Sequence, residues 1–233
     1  GEIVAVGARA AVEPLARAAP AVFDAGGRTV LPGFVDAHHH PSLIALWGGL
    51  VRVRPPAVTD IAGFQAALRV AAEGLPDGAW LVVMDWDEML LDERRPPTRD
   101  ELDEAVPDRP LLAMHYGCHR ALANSRALEL AGVTKESVDP VGGTIERDRK
   151  GMPSGLLVER AMSRAESLAR ASLIARDVRG FFERLAHHHD ALLRVGITRV
   201  VDATVPTDLA TLYAEAHRAG YLRVPTTIMP VSV

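Results

Sequence analysis

The stretch Val30-Leu31-Pro32-Gly33-Phe34-Val35-Asp36-Ala37-His38-His39-His40 decides how this chain reads. An apolar run stops at an aspartate followed by three histidines. That is the layout of a buried strand carrying ligands at its C-terminal end. Side chains alternate along a strand, so His38 and His40 share one side and His39 takes the other. Two imidazoles converging from one strand are a sound beginning for a divalent metal site. The competing reading is three solvated loop histidines.

Working outward, Glu2 to Val6 and Val22-Phe23 read as short strands around an Ala-rich, proline-punctuated segment, with a turn at Asp24-Ala25-Gly26-Gly27. Downstream, Ile61, Phe64, Leu68 and Ala71/Ala72 recur at helical spacing, with Thr59 or Asp60 as N-cap. Trp80 to Met84 is a strand that delivers Asp85, Trp86 and Asp87. Thr98 and Glu101 have capping-box spacing ahead of a short helix over 99–106. Pro110 to Met114 is a strand leading to His115 and His119, followed by a helix over 125–131 that Gly132 stops. Ile145 to Gly151 reads as a hairpin with a polar turn. Helices are expected over 157–169 and 175–195, then a strand 197–201 carrying Asp202, a helix 209–219 and a last strand 224–233. From Gly196 onward the order is strand, helix, strand with short connections, a βαβ unit of a parallel sheet.

Bulk properties exclude several classes. The chain has 233 residues, 48% hydrophobic and 24% charged, with a formal net charge of −4. That balance gives no reason to expect nucleic acid or a membrane as partner. No apolar run has the length of a membrane span, and no basic-then-apolar leader opens the chain. The single cysteine, Cys118, excludes an intrachain disulfide. A reducing, cytoplasmic location is the expectation.

The opening stretch resembles the first barrel strand of the amidohydrolase superfamily, whose hallmark is Pro-Gly, two apolar residues, Asp, then His-x-His. Further segments are similar to amidohydrolase family 3, the YtcJ-like pattern: Trp80 to Asp87, Pro97-Thr98-Arg99 with Leu102-Asp103, Gly117-Cys118-His119 with Asn124-Ser125 and Ala127-Leu128. Gly142-Gly143, Ile145, Arg147-Asp148, Gly151, Pro153, Gly155 to Leu157 with Glu159, and Gly196-Ile197-Thr198 continue it. The segments keep family order over nearly the whole chain.

This resemblance implies an α/β fold: a partial TIM-like (β/α) barrel, roughly its first three strands of eight, with part of a flanking β-sandwich and a large α+β insertion. The expected parts are 1–27 from the sandwich, 28–47 with the first barrel strand, 48–155 as insertion, and 156–233 with barrel helices and the second and third strands. It implies a metal-dependent amidohydrolase cleaving an amide, N-acyl or N-formyl C–N bond with metal-activated water. His38 and His40 would be metal ligands. Zinc is the first choice of divalent metal, with iron and nickel also suited. His119, Trp86 and Asp87 would contact a small-molecule substrate, and Asp202 would orient a ligand histidine or cap the next turn.

The family's other ligands (a lysine, two histidines and an aspartate) belong further along, and its general base is expected beyond Val233. The chain is therefore expected to be an N-terminal part, inactive and weak for metal alone, with association or homo-oligomers through exposed barrel edges. The alternative is a catalytically silent binding or assembly module. A thiol nucleophile at Cys118 beside His119 is a third, weaker reading. Asn124 is expected to cap the helix at Ser125, Glu159 to be a helix N-terminal carboxylate, and His187-His188-His189 to be solvated or partly packed. Three consecutive helix residues cannot converge on one ion.

Overall fold

A computed structural model describes residues 2–231. The chain divides into two compact units, Gly1–Phe34 and Val35–Val233. In the first, the helix α1 (Arg9–Ala16) is the only regular element before Phe34 among the described residues. The strands expected over 2–6 and at 22–23 are not formed among the described residues. A strand needs a hydrogen-bonding neighbour, and here Ile3, Val4, Val6, Val22 and Phe23 stay exposed.

The elements that follow are β1 (Phe34–His39), α2 (Pro41–Trp47), β2 (Val51–Arg52), α3 (Ile61–Ala72), β3 (Leu81–Trp86), α4 (Arg99–Ala105), β4 (Leu111–His115), β5 (Arg120–Ala123), α5 (Ser125–Ala131), β6 (Gly143–Arg147), β7 (Pro153–Glu159), α6 (Ser163–Arg176), α7 (Val178–Arg194), β8 (Ile197–Pro206), α8 (Thr207–Arg218) and β9 (Thr226–Val231). They build two sheets. One is six-stranded in the order β2-β3-β4-β5-β7-β6, and the other three-stranded in the order β1-β8-β9. β2, β3 and β4 are mutually parallel; β5, β7 and β6 add antiparallel. β8 and β9 are parallel, with α8 as their crossover.

The six-stranded sheet is covered on both faces. Val82, Met84, Leu112 and Met114 enter one core, shared with residues of α2, α5, α6, α7 and α8. Leu81, Val83, Leu111 and Ala113 enter the other, with Phe64 and Leu68 of α3 and Leu102 of α4. Strands buried on both faces read as unbroken apolar runs, as Leu81–Met84 does.

Local signals set the boundaries. Asp60 caps α3, accepting from Gly63 N at 2.6 Å. Thr98 and Glu101 bond reciprocally at the start of α4, and Arg95 holds the Glu101 carboxyl down at about 2. Gly132 ends α5 at φ 70°, the left-handed position where a Cβ is costly.

One expectation needs correction. β7 runs from Pro153 to Glu159. The helix expected over 157–169 begins only at Ser163, because Leu156 and Leu157 pair with Leu122 and Ala121 in the sheet.

Candidate metal centre

β1 ends at His39, and His40 is the N-cap residue of α2, with Pro41 at the first helical position. Strand alternation brings the His38 and His40 rings edge-to-face, 5.2 Å between centroids. His40 Nδ1 lies 2.9 Å from the backbone oxygen of Ala203. A carbonyl can only accept, so Nδ1 carries a proton, and in the neutral ring the lone pair is left on Nε2. That is the tautomer a metal ligand needs, oriented by a second group as such ligands usually are. Asp36, the aspartate of the motif, accepts from the His38 backbone N–H at 3.2 Å and closes the end of the strand.

Asp202 is fully buried beneath this pair. Its Oδ2 accepts from Ser42 N at 2.9 Å and from the Tyr213 hydroxyl. Ser42 is the second residue of α2, so Asp202 caps that helix from another strand. Burial first, and then the Asp202 charge, push the Tyr213 phenol well up, so it remains a donor. Asp202 Oδ1 is 4.0 Å from His40 Nδ1 and is a buried oxygen with no hydrogen-bond partner. The hydrogen bond that orients His40 thus comes from the Ala203 carbonyl, and Asp202 acts through the start of α2. A buried carboxylate oxygen left unpaired is costly. It fits a site whose net charge is completed by a cation. Ala203 reaches His40 because β8 bulges: the register with β9 shifts between Asp202 and Val205.

The other histidines do different work. His39, on the opposite side of β1, meets His188 of α7 with Nε2 atoms 2.7 Å apart. The ring centroids are 4.9 Å apart, close to that distance plus two ring radii, so the rings meet head-on. A head-on pair shares one proton and leaves no room for an ion between. His189 is wholly buried, and its Nδ1 accepts from Arg223 N and Val224 N, both at 3.3 Å. Burial, with the neighbouring His188, lowers its pKa to about 4. His188 and His189 are therefore packed, not solvated; His187 is exposed.

The expected substrate contacts scatter. Trp86 has no exposed surface; its indole N–H bonds Ala113 O at 2.8 Å, and its ring meets His115. It is a core group of the six-stranded sheet. Asp87 caps the 3-10 turn Glu88–Leu90, accepting from Met89 N at 2.9 Å. His119 is exposed and sits 3.0 Å from Glu159, which stands at the N-terminal end of the 3-10 turn Arg160–Met162 that leads into α6, without a side-chain cap bond. Asn124 caps α5 as expected, accepting from Ala127 N and Leu111 N and donating to Val106 O and Arg109 O. Burial, then the Asp85 charge, push the Cys118 thiol up, away from a nucleophilic thiolate.

Asp87, Glu88 and His115 form a second constellation with ligand-type atoms within 4.8 Å of one another. No local motif announces it, because its members meet only when β3 and β4 pair. Arg120 already fills it, bonding both Glu88 oxygens at 2.8 and 3.1 Å and lying 2.8 Å from His115 Nε2. Burial opposes the Glu88 charge, but Arg120 outweighs it and lowers the pKa. Burial and then Arg120 also lower the pKa of His115. A cation here would have to displace a guanidinium. The His38/His40 pair carries no such competitor among the described residues. Ser42, Tyr213 and the Ala203 carbonyl are supporting groups that the sequence alone did not single out; each lies distant in sequence from the group it supports.

The fold and this pair define a mixed α/β protein with a candidate two-histidine metal centre at a strand end. A family model described as Amidohydrolase family matches residues 21–226, and this chain belongs to that family. It is 35% identical over 228 residues to N-substituted formamide deformylase of Arthrobacter pascens, covering 98% of this chain and 42% of that protein. It is 34% identical over 135 residues to the putative amidohydrolase YtcJ of Bacillus subtilis, covering 58% of this chain and 25% of that protein. The chain thus spans less than half the length of these relatives. An uncharacterised metal-dependent hydrolase from Pyrococcus horikoshii shares the fold at TM-score 0.57 and 22% identity, over 85% of this chain and 36% of that one. No helix among the described residues is long and apolar enough to cross a membrane.

Proposed function

We propose that this chain carries the opening half of the metal site of a hydrolase acting on a C–N bond in a small amide, N-acyl amine or N-formyl amine. The observation that carries this reading is the His38/His40 pair with the His40 Nε2 lone pair set free by the Ala203 carbonyl. The donor set, two neutral imidazoles, suits a borderline divalent ion, zinc first and iron or nickel next. A divalent ion held there supplies Lewis-acid polarisation of a carbonyl and acidification of water. The chain's own residues orient and support: Ala203 fixes the His40 tautomer, while Asp202 and Tyr213 anchor the first turn of α2 that His40 begins. The three-stranded sheet is read as the first part of a (β/α) barrel, whose strand ends form the catalytic face. His119 and Asp87 stand as substrate contacts contributed from the six-stranded sheet. The relationship to an N-substituted formamide deformylase favours the N-formyl class.

The test is hydrolysis of a panel of N-alkyl formamides and N-acetyl amines by the intact protein, followed as amine release. The expected result is turnover that a chelator abolishes, that zinc restores, and that His40→Ala removes. Turnover that survives chelation, or absence of turnover across the metal-loaded panel, contradicts the proposal.

A further inference from the structure

The bulge in β8 holds a side chain that the arrangement above leaves unused. Asp202 stands opposite Ile228 and Val205 opposite Pro230, so β8 has one residue more than β9 between those pairs. Thr204 occupies that extra length with φ 61°. A left-handed bulge position ordinarily takes glycine, because the Cβ of an L-residue is crowded there. The described non-glycine residues with positive φ are Asp85, Arg94, Cys118, Glu159 and Thr204, and only Thr204 is β-branched. For a β-branched residue this conformation is a true outlier.

The strain falls beside the metal centre. The preceding residue, Ala203, gives its carbonyl to His40, and Asp202 caps the helix that His40 begins. Ala203 and Val205 are buried, whereas Thr204 is exposed. Its side chain therefore adds little packing, and glycine would hold the same bulge at lower cost. A position that is strained and packs little is accounted for by what its side chain offers a ligand. A threonine hydroxyl can donate to a carbonyl oxygen, and branching at Cβ restricts χ1 and so the direction of the hydroxyl.

We infer that Thr204 is a substrate-contacting residue of the His38/His40 site, its Oγ1 donating to the acyl oxygen of the compound hydrolysed. This rests on the metal-centre reading above. Formate, the smallest carboxylate product of amide hydrolysis, is the probe. The intact metal-loaded protein is compared with Thr204→Gly, Thr204→Ala and Thr204→Ser by thermal unfolding, metal content and calorimetric formate binding. Thr204→Gly is expected to raise Tm by roughly 2–4 °C through relief of the left-handed strain. It should keep its metal and bind formate roughly tenfold more weakly, the scale of one lost hydrogen bond. Thr204→Ala should lose the same affinity without the gain in Tm, and Thr204→Ser should keep it. Equal formate binding by all four proteins overturns the inference, as does no formate binding by the wild type. His40→Ala separates the two levels. If metal content is unchanged in that variant, the metal-centre reading itself fails; if His40→Ala loses metal while Thr204→Gly binds formate normally, only the role of Thr204 falls.

Discussion

In the six-stranded sheet β3 is buried at all six positions and β4 at all five, whereas β1 of the three-stranded sheet leaves Phe34, Val35, Ala37 and His38 exposed. The polar groups differ in the same way. At the ends of β3 and β4, Trp86, Glu88, His115 and Arg120 bond one another or the backbone. Around the end of β1, His40 Nε2 keeps its lone pair and buried Asp202 Oδ1 has no hydrogen-bond partner. The ends of β3 and β4 pair these polar side chains internally and can hold other things in place. A sheet with unfilled valences at its strand ends is where an external ion or substrate can bind.

That contrast can be broken by mutation. Trp86→Ala removes the largest fully buried side chain of the six-stranded sheet. It is expected to cost about 3–5 kcal/mol in denaturant unfolding, while folded protein keeps its metal content. Loss of metal at folded conditions would tie the two sheets more tightly than the contrast allows.

His189 tests the packing behind β8 and β9 with proton linkage. Its folded pKa is lowered to about 4. Its contribution is therefore full above the unfolded value near 6.5 and declines as pH falls toward the folded one, because the unfolded chain binds a proton that the folded chain refuses. The loss expected between those two pH values is on the order of 3 kcal/mol. His189→Gln should flatten that part of the stability–pH curve; an unchanged slope would place the titration elsewhere.

The smallest effect sharpens the contrast most. Tyr213→Phe removes one of the two hydrogen bonds to Asp202 Oδ2. It is expected to cost about 1–2 kcal/mol of stability, and to weaken metal retention, because Asp202 then holds the first turn of α2 less firmly. Reduced stability with unchanged metal affinity would make the Tyr213–Asp202 bond purely structural.

Much of this was readable beforehand for a physical reason. The period-2 alternation through His38, His39 and His40 separates two histidines from the third, and the structure turns His39 away toward His188. The caps at Asp60, Thr98 and Asn124 are local, so their chemistry is written within four residues. Register and long-range partners are not local. Nothing near His188 announces that it faces His39, and Ser42 and Tyr213 carry no sign of Asp202. The apolar segment 153–159 has no period that separates strand from helix; its pairing with β5 and β6 decided it. Trp86 and Asp87 follow a strand as a pocket pair would, yet the bulge between Met84 and Trp86 turns the indole into the core. At 2–6 and 22–23 the apolar composition favoured strands, but the structure offers those segments no strand partner.

The central claim is that metal binds at the end of β1 and not at the Asp87/Glu88/His115 constellation. The direct measurement is bound metal per chain by elemental analysis after dialysis against zinc and then metal-free buffer. It compares wild type, the double variant His38→Ala/His40→Ala, and the double variant Asp87→Ala/Glu88→Ala in the intact protein. The account predicts that the histidine variant loses the metal while the carboxylate variant retains it. Retention by the histidine variant, with loss in the carboxylate variant, would contradict it.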